Sequence, residues 1–520
     1  MPSIMRLLYS VLIALIILGI SSCRKDFGTI VSSGNLEFSV DTVLLNRVFD
    51  DISSSTQTFK VYNRSNEAIT IPTIKLGRGD NSFYRLNVDG VPGKSFENID
   101  ILANDSIYVF VEATVDFEQI TDTEFFYRDS VVFQSEAIEQ DVKLEALVLD
   151  VNLIKPDRTE QPDGSFVYET IILGQNTDGD LLGVRGTTLS GNNTFTNTKP
   201  YLIYGYVGVA ENTTLTIDAG ATLYFHDNSG IVVGKNATLN VNGAFENEVL
   251  FEDDRLEPEF EDTSGQWGTI WLRAGSKNNS INYAIIKNSV IGVIADSIGN
   301  ANPTLTIKNT QIYNTSNYGI LGRETNILGE NIVIGNSGQS TLACTVGGTY
   351  NFKHCTFANY WRSGFRQYPS VLVNNFFSYY DESNTEVIET RNLYAANFTN
   401  CIIDGNQDVE FVLNKVEGAD FNFNVKNSML KFNTTNTEVL DNPLFDFTNA
   451  SLYQNVIRNG NLDFKDTQEN ELIIGEASEA IGNADVNAAL QVPNDILNVS
   501  RTASPDIGAY QHIIFEEEEN

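Results

Sequence analysis

A short apolar phrase closed by asparagine recurs through the middle of the chain, and it constrains the fold more than any other feature. Ala284-Ile285-Ile286-Lys287-Asn288 is answered by Thr310-Gln311-Ile312-Tyr313-Asn314, Ile332-Val333-Ile334-Gly335-Asn336 and Cys355-Thr356-Phe357-Ala358-Asn359. Looser copies stand at Asn375-Phe376-Phe377, Cys401-Ile402-Ile403 and Ser428-Met429-Leu430. The central apolar residues fall at 286, 312, 334, 357, 377, 403 and 430, spaced 20 to 27 residues apart. Short β-type runs at such a period predict a solenoid, because one turn cannot bury its apolar side alone and stacking does it. Asn288, Asn314, Asn336 and Asn359 then stack, and their amides are expected to hydrogen-bond along the axis as a ladder. The ends of an open parallel stack expose strand edges, which the flanking segments are expected to cover.

Composition agrees with an all-β protein. Gly, Asn and β-branched residues are plentiful, long runs of helix formers are few, and 42% apolar content is ample for real cores in a chain of 520 residues. With 68 acidic against 33 basic residues the formal charge is −35, which repels nucleic acid and anionic lipid surfaces. Cys344, Cys355 and Cys401 lie inside the repeat and are expected to be free, buried thiols. On the spacing above, Cys355 and Cys401 are two turns apart, about 9 to 10 Å, too far for a disulfide.

The N-terminus reads as an export signal. Arg6 precedes an apolar run from Leu7 to Ile20, too short for a comfortable mature span, and Ile20-Ser21-Ser22-Cys23 follows. This resembles the bacterial lipobox, which implies lipidation of Cys23, a membrane anchor there and an outer-membrane address; the side of that membrane stays open. Residues 1–22 would be the signal peptide and 23–35 the tether, with Arg24-Lys25-Asp26 loosely similar to surface-export tags of Bacteroidota lipoproteins. From 36 to 150 the pattern is of well-separated alternating strands, as in a sandwich. Thr58–Asn63 alternates, Arg64–Glu67 turns, and Ala68–Ile71 is expected to return as a hairpin partner; Ser106–Val111 is a further strand. This stretch resembles Ig-like modules of the abnormal-spindle type, which implies a spacer or contact surface.

Residues 151–200 read as a connector and N-terminal cap. Within it Asn176, Asp178 and Asp180 alternate around Gly179, a pattern that admits calcium but lacks the acidic residue that completes a calcium loop; a plain turn is the competing reading. Calcium is the only cofactor the sequence suggests. The solenoid is expected over 201–440, Thr214–Gly220 being echoed by Thr238–Gly243. Leu215–Gly220, Gly265-Gln266-Trp267-Gly268-Thr269-Ile270 and the repeats resemble right-handed parallel β-helix proteins. Asp441–Phe445, Glu479–Ala484 and Pro505–Gln511 are similar, in order, to the C-terminal segment of many secreted members, with departures at Asn442, Gly482 and Gln511. That resemblance makes 441–515 a capping segment, and residues 516–520 form an acidic tail.

The chemistry is sparse. His226, His354 and His512 are far apart, so a metal cluster or a Ser/His/Asp triad has little to draw on. The signatures of β-helix polygalacturonases and common pectate lyases are absent. Between Asn331 and Tyr380 there is no Asp or Glu, yet Lys353, Arg362 and Arg366 occur there among Tyr360, Trp361, Phe365, Tyr368, Tyr379 and Tyr380. Aromatic faces stack on sugar rings and Arg forks a carboxylate, so ligand binding is assigned to Lys353, Tyr360, Trp361, Arg362, Arg366 and Tyr368. If Cys355 and Phe357 point inward, His354 and Thr356 point outward toward a ligand. In a lyase, Lys353 or Arg366 would neutralise a uronate while His354 or Tyr360 moves the proton; in the bland alternative a loop merely docks on the solenoid. The acidic run Glu252–Asp262 reads as a solvated loop or a carboxylate site, and Trp267 and Trp271 as core packing or a platform for neutral sugar. Two classes follow: a lipid-anchored envelope protein that binds glycan or serves as an adhesive or structural module with envelope-protein partners, or a polysaccharide lyase or glycosidase with a groove along the helix.

Overall fold

A computed structural model of the chain describes residues 28–120, 125–135, 138–176, 178–296 and 303–516. Cys23, the expected signal peptide over 1–22 and residues 517–520 lie outside the described residues. The chain divides into two compact units, Met1–Asp150 and Val151–Asn520.

The first unit is a sandwich. One sheet runs Ile30–Val31, Ile69–Leu76, Phe126–Gln134, Glu139–Leu149, Thr42–Phe49, with Ser95–Ile101 also on Ile69–Leu76; the other runs Glu37–Phe38, Gln57–Tyr62, Ser106–Ala113, Tyr84–Val88, Val91–Gly93. Alternation turns Phe59, Val61, Val109 and Val111 of one sheet and Ile71, Ile74, Val131 and Val142 of the other into a common core. One sequence expectation fails here. Ile69–Leu76 is not the hairpin partner of Gln57–Tyr62 but crosses to the opposite sheet, and Gln57–Tyr62 pairs with Ser106–Ala113. Buried Asn63 makes the corner: its Nδ2 donates to the carbonyls of Glu67, Ile101 and Leu102, and its Oδ1 accepts from Ser65 N and Oγ.

The second unit is a parallel β-helix with three strands to each turn, and its strands form one 27-stranded sheet. The third face shows the register that the repeat dictates: Phe251, Ile286, Ile312, Ile334, Phe357, Ile403 and Leu430 stand on one another and are buried. Phe377 is missing from this column. Phe376–Tyr380 instead pairs antiparallel with Glu386–Thr390 as a hairpin, with Phe377 37% exposed. The excursion carries the chain away from the stack and back within one turn. Cys355 and Cys401 therefore occupy directly adjacent rungs rather than alternate ones, although both thiols are free and buried as expected. The coil also starts earlier than the sequence suggested: Asn152–Ile154, Gly186–Leu189 and Asn193–Phe195 already pair as rungs with Tyr201–Ile203, Tyr206–Val209 and Leu215–Ile217.

Several turns leave their second and third faces through a residue in the left-handed region, where asparagine is the least strained non-glycine choice. After the third face these are Asn288, Asn314 and Asn336, and the expected ladder exists: Asn314 Nδ2 donates to Asn288 Oδ1 (3.3 Å) and Asn336 Nδ2 to Asn314 Oδ1 (2.7 Å). Asn359 departs from it, bonding the backbone of Ser337 and Gln339. Before the third face the left-handed residues include Tyr283, Asn309, Asn331, His354, Asn400 and Asn427, and Asn331 Nδ2 donates to Asn309 Oδ1 (2.9 Å).

Beyond the last rungs, Phe432, Phe445, Phe447 and Tyr453 pack ring on ring at the end of the core. The chain then returns along the outer side of the third face. Leu462, Ile474, Ala480 and Ile507 cover Ile402 and Met429, while Leu472, Ile496, Ala509 and Tyr510 cover Val333 and Ala358. Arg501, fully buried, pins this cover by donating to the carbonyls of Gly508 and Ala509 and to Asn331 Oδ1. Burial pushes its guanidinium down to about 10, and Asp495 and Asp506 oppose that shift. Arg501→Ala leaves the buried Gly508 and Ala509 carbonyls and Asn331 Oδ1 without this donor, so the solenoid is expected to lose about 3 kcal/mol. A urea midpoint for the variant equal to that of the unmodified protein would contradict this role.

Candidate functional site

The corners after the third face decide where a site can form. At Asn288, Asn314 and Asn336 the backbone turns left-handed and the corner is short. At the equivalent rungs Asp253 and Asn359 the residue remains the last of an extended strand, and a long loop follows. Two raised loops, Asp254–Gln266 and Tyr360–Pro369, thus flank three tight corners; the first loop folds onto Asn288, whose Nδ2 donates to the Glu261 carbonyl, and the corners after Asn314 and Asn336 make the low floor. Rungs are about 4.8 Å apart, so the corners of Asn288 and Asn359 on either side of the floor, three rungs from one another, are about 14 Å apart.

One part of this trough, about 340 Å³, has Ser316, Asn317, Gly338 and Gln339 as floor and Trp361, Phe365 and Tyr368 among its wall residues. Gln339 Nε2 donates to Asn317 Oδ1 (3.3 Å), which orients the two amides. Gly338 keeps the floor low: a Cβ there would lie 2.0 Å from the Ser316 carbonyl and 3.3 Å from the Trp361 ring. Phe365 is 92% exposed and Tyr368 38%, while Trp361 is half-buried. The other part, about 420 Å³, is shared between both loops, with Glu259, Glu261 and Asp262 on one side, Arg362 and Ser363 on the other and Asn336 beneath.

The aromatic loop is held from below. Arg366 is almost fully buried and lies in a fork with Glu410, Nη1 to Oε2 being 2.8 Å, and it donates also to the carbonyls of Tyr368 and Asn359 and to Asn406 Oδ1. Glu410 accepts in addition from the backbone N–H of Ser370 and Gln407. Burial raises the Glu410 carboxyl above its usual range, and the Arg366 hydrogen bond opposes the rise. Asn406 Nδ2 reaches the Trp361 carbonyl and Gln407 Nε2 that of Arg366.

The structure scatters the cluster that the sequence suggested. Trp361 and Tyr368 line the trough, and Arg362 faces its acidic part while lying 3.8 Å from Glu469. Arg366 is not available to a uronate, because Glu410 already occupies its fork. Lys353 Nζ bonds Gln491 Oε1 at 2.7 Å and lies 3.8 Å from Glu330, on the flank covered by the returning chain. His354 does point away from the core, as alternation requires, but it meets protein rather than solvent. It is fully buried with Nε2 2.8 Å from Asn400 Nδ2, and burial, with Arg501 and Lys353 nearby, drives its imidazole well below the usual range. Thr356 is likewise covered, its Oγ1 accepting from Ala509 N. Tyr360 belongs to a separate cleft of about 350 Å³ with Lys431, Asp463 and Asp404, to which its hydroxyl donates at 2.7 Å. Burial lifts the Asp404 carboxyl above its usual value against the pull of Tyr360 and Lys431. The acid-free window was therefore a real signal with a structural cause: its cations are matched by acids elsewhere in the chain.

Asn176, Asp178 and Asp180 close a hairpin turn. Asn176 Oδ1 accepts from the N–H of Asp178 and Asp180, and its Nδ2 donates to Asp180 Oδ2. Among the described residues no three His, Cys, Asp or Glu side chains gather as a metal cluster. In the acidic run, Glu252 pairs with Lys287 (3.0 Å), Asp254 with His226 (2.8 Å), and Asp262 accepts from Asn314. Trp267 is no sugar platform, being fully buried and stacked on Phe225 at 4.3 Å; Trp271 donates to Asp296. The floor amides Asn317 and Gln339 were missed by sequence reasoning. Their signal was the shortness of three successive corners between two long ones.

No protein-family model matches the chain, and no curated protein matches it. Solved structures with some likeness include a family 123 glycoside hydrolase from Clostridium perfringens (9% identity, TM-score 0.16), of which 23% is covered by 21% of this chain. A tailspike capsular polysaccharide depolymerase of an Acinetobacter baumannii bacteriophage shares 16% identity over 43% of this chain and 46% of its own, with a TM-score of 0.24. The catalytic unit of an α-1,3-glucanase from Streptomyces thermodiastaticus shares 11% over 71% and 79%, again at 0.24. At such TM-scores these likenesses carry no argument about this chain, and its architecture rests on its own strand pairings.

Two outcomes follow from the geometry. Glu410→Gln leaves Arg366 charged and unmatched in the interior and is expected to destabilise the solenoid by about 3–5 kcal/mol, read by urea unfolding. Asp253, hydrogen-bonded by Asn288 Nδ2, has its carboxyl pushed up to about 6, chiefly by burial. A folded value above the unfolded one means that the contribution of Asp253 is full below about 4 and is lost as pH rises through about 6. The Tm of Asp253→Asn minus that of the unmodified protein is therefore expected to rise between about pH 4 and pH 7, and a flat difference would contradict the assignment.

Proposed function

We propose that this protein binds glycan at the trough between the two raised loops, and that it does so at the cell envelope, anchored through lipidated Cys23. The observation that carries the reading is the pairing of an aromatic wall, Trp361, Phe365 and Tyr368, with an oriented amide floor, Asn317 and Gln339. A sugar ring offers an apolar C–H face to an aromatic side chain and hydroxyls to amides, which donate and accept together. An open trough suits a chain that continues in both directions. A phenylalanine 92% exposed on a loop anchored by a buried ion pair is hard to explain by folding alone.

The first unit, taken as an Ig-like module, would act as spacer or contact surface between anchor and solenoid. This reading rests on its alternating-strand sequence. Nothing in the placement of Lys353, His354 and Arg366 supports the lyase alternative, since each is occupied by protein partners. A glycosidase reading has one observation in its favour, the Tyr360–Asp404 pair in its own cleft, but the trough explains more of the surface.

Affinity electrophoresis through gels containing a panel of polysaccharides tests the proposal. The protein is expected to be retarded by at least one of them, and Trp361→Ala to weaken that retardation about tenfold or more, which is about 1.4 kcal/mol. Retardation that survives Trp361→Ala unchanged would overturn it.

A further inference from the structure

We infer that the trough selects neutral glycan chains and turns away uronates. This rests on the trough being a glycan site and concerns what its second part adds. That part is rich in acceptors: Glu259, Glu261 and Asp262 stand on one wall, and Asn336 lies beneath them. Asn336 is 5% exposed and its Oδ1 has no hydrogen-bond partner. The reason lies in the ladder, where Asn336 Nδ2 is spent on Asn314 while the next rung's Asn359 turns its own amide to the backbone. The last acceptor of the ladder is left over at the trough, and an unpaired buried carbonyl is costly until a donor reaches it.

Hydroxyl groups are the donors that fit. A uronate would bring its charge to three carboxylates with Arg362 as the single cation lining that part, itself already 3.8 Å from Glu469. A neutral sugar escapes this repulsion: its ring stacks on the Trp361 wall and its hydroxyls donate to Asn336 Oδ1 and the carboxylates. Because Ser363 lines both parts, one chain of several sugar units occupies them together.

The test compares retardation by neutral glucan, mannan and galactan with that by polygalacturonate and alginate, using the protein and its Glu259→Gln/Glu261→Gln variant. Asp262, which accepts from Asn314, is left in place. The expected result is retardation by a neutral polymer and none by either uronate, with the variant binding uronate at least about tenfold more tightly than the unmodified protein. Retardation of the unmodified protein by uronate and not by neutral polymer overturns this inference while leaving the glycan site standing. So does a variant that discriminates as before. Retardation by no polymer at all removes the glycan reading itself, and this inference with it.

Discussion

Everything in the solenoid depends on how its corners turn. A parallel coil must bend sharply between faces, and the cheapest sharp bend is one residue in the left-handed region, where a short amide side chain can bond its neighbours along the axis. Asn288, Asn314 and Asn336 meet that need after the third face, and Asn309, Asn331, Asn400 and Asn427 before it. Where the residue stays extended, as at Asp253 and Asn359, the chain overshoots and a loop grows. The walls of the trough are these two overshoots, and its floor is made by the last two of the three regular corners between them, the first being covered by the Asp254–Gln266 loop.

The same periodicity that builds the coil made most of it legible. Inward residues, the three free thiols and the amide ladder all follow from spacing and alternation. His354 shows where that logic stops. Alternation puts it outside the coil, but outside is not solvent: it takes the left-handed corner slot that asparagine fills in neighbouring turns, and the returning chain seals it. Contacts such as Thr356 with Ala509, 153 residues apart, leave no periodic trace in the sequence. The outward apolar residues Val333, Ala358, Ile402 and Met429 are what the returning chain covers.

Phe377 illustrates a second limit. An apolar run at the right spacing is indistinguishable from a rung until its pairing is known, and here the run folds on itself as a hairpin. That one slip displaced Cys355 and Cys401 by a whole turn. Charge was misread for a related reason. A window without acids holds its cations only if acids elsewhere in the chain reach them, and Glu410 and Glu330 do so for Arg366 and Lys353. Trp361 and Tyr368 survived as candidates because their rings line the trough, whereas Tyr360 at the start of the same loop turns its hydroxyl to Asp404.

Oxidative footprinting with mass spectrometry, run with and without a polysaccharide that retards the protein, tests the central claim most directly. The account predicts protection of Trp361 and Phe365, with Trp271 unchanged. Protection of the exposed hairpin residues Tyr379 and Tyr380 instead, with Trp361 labelled as before, would place the glycan elsewhere and contradict it.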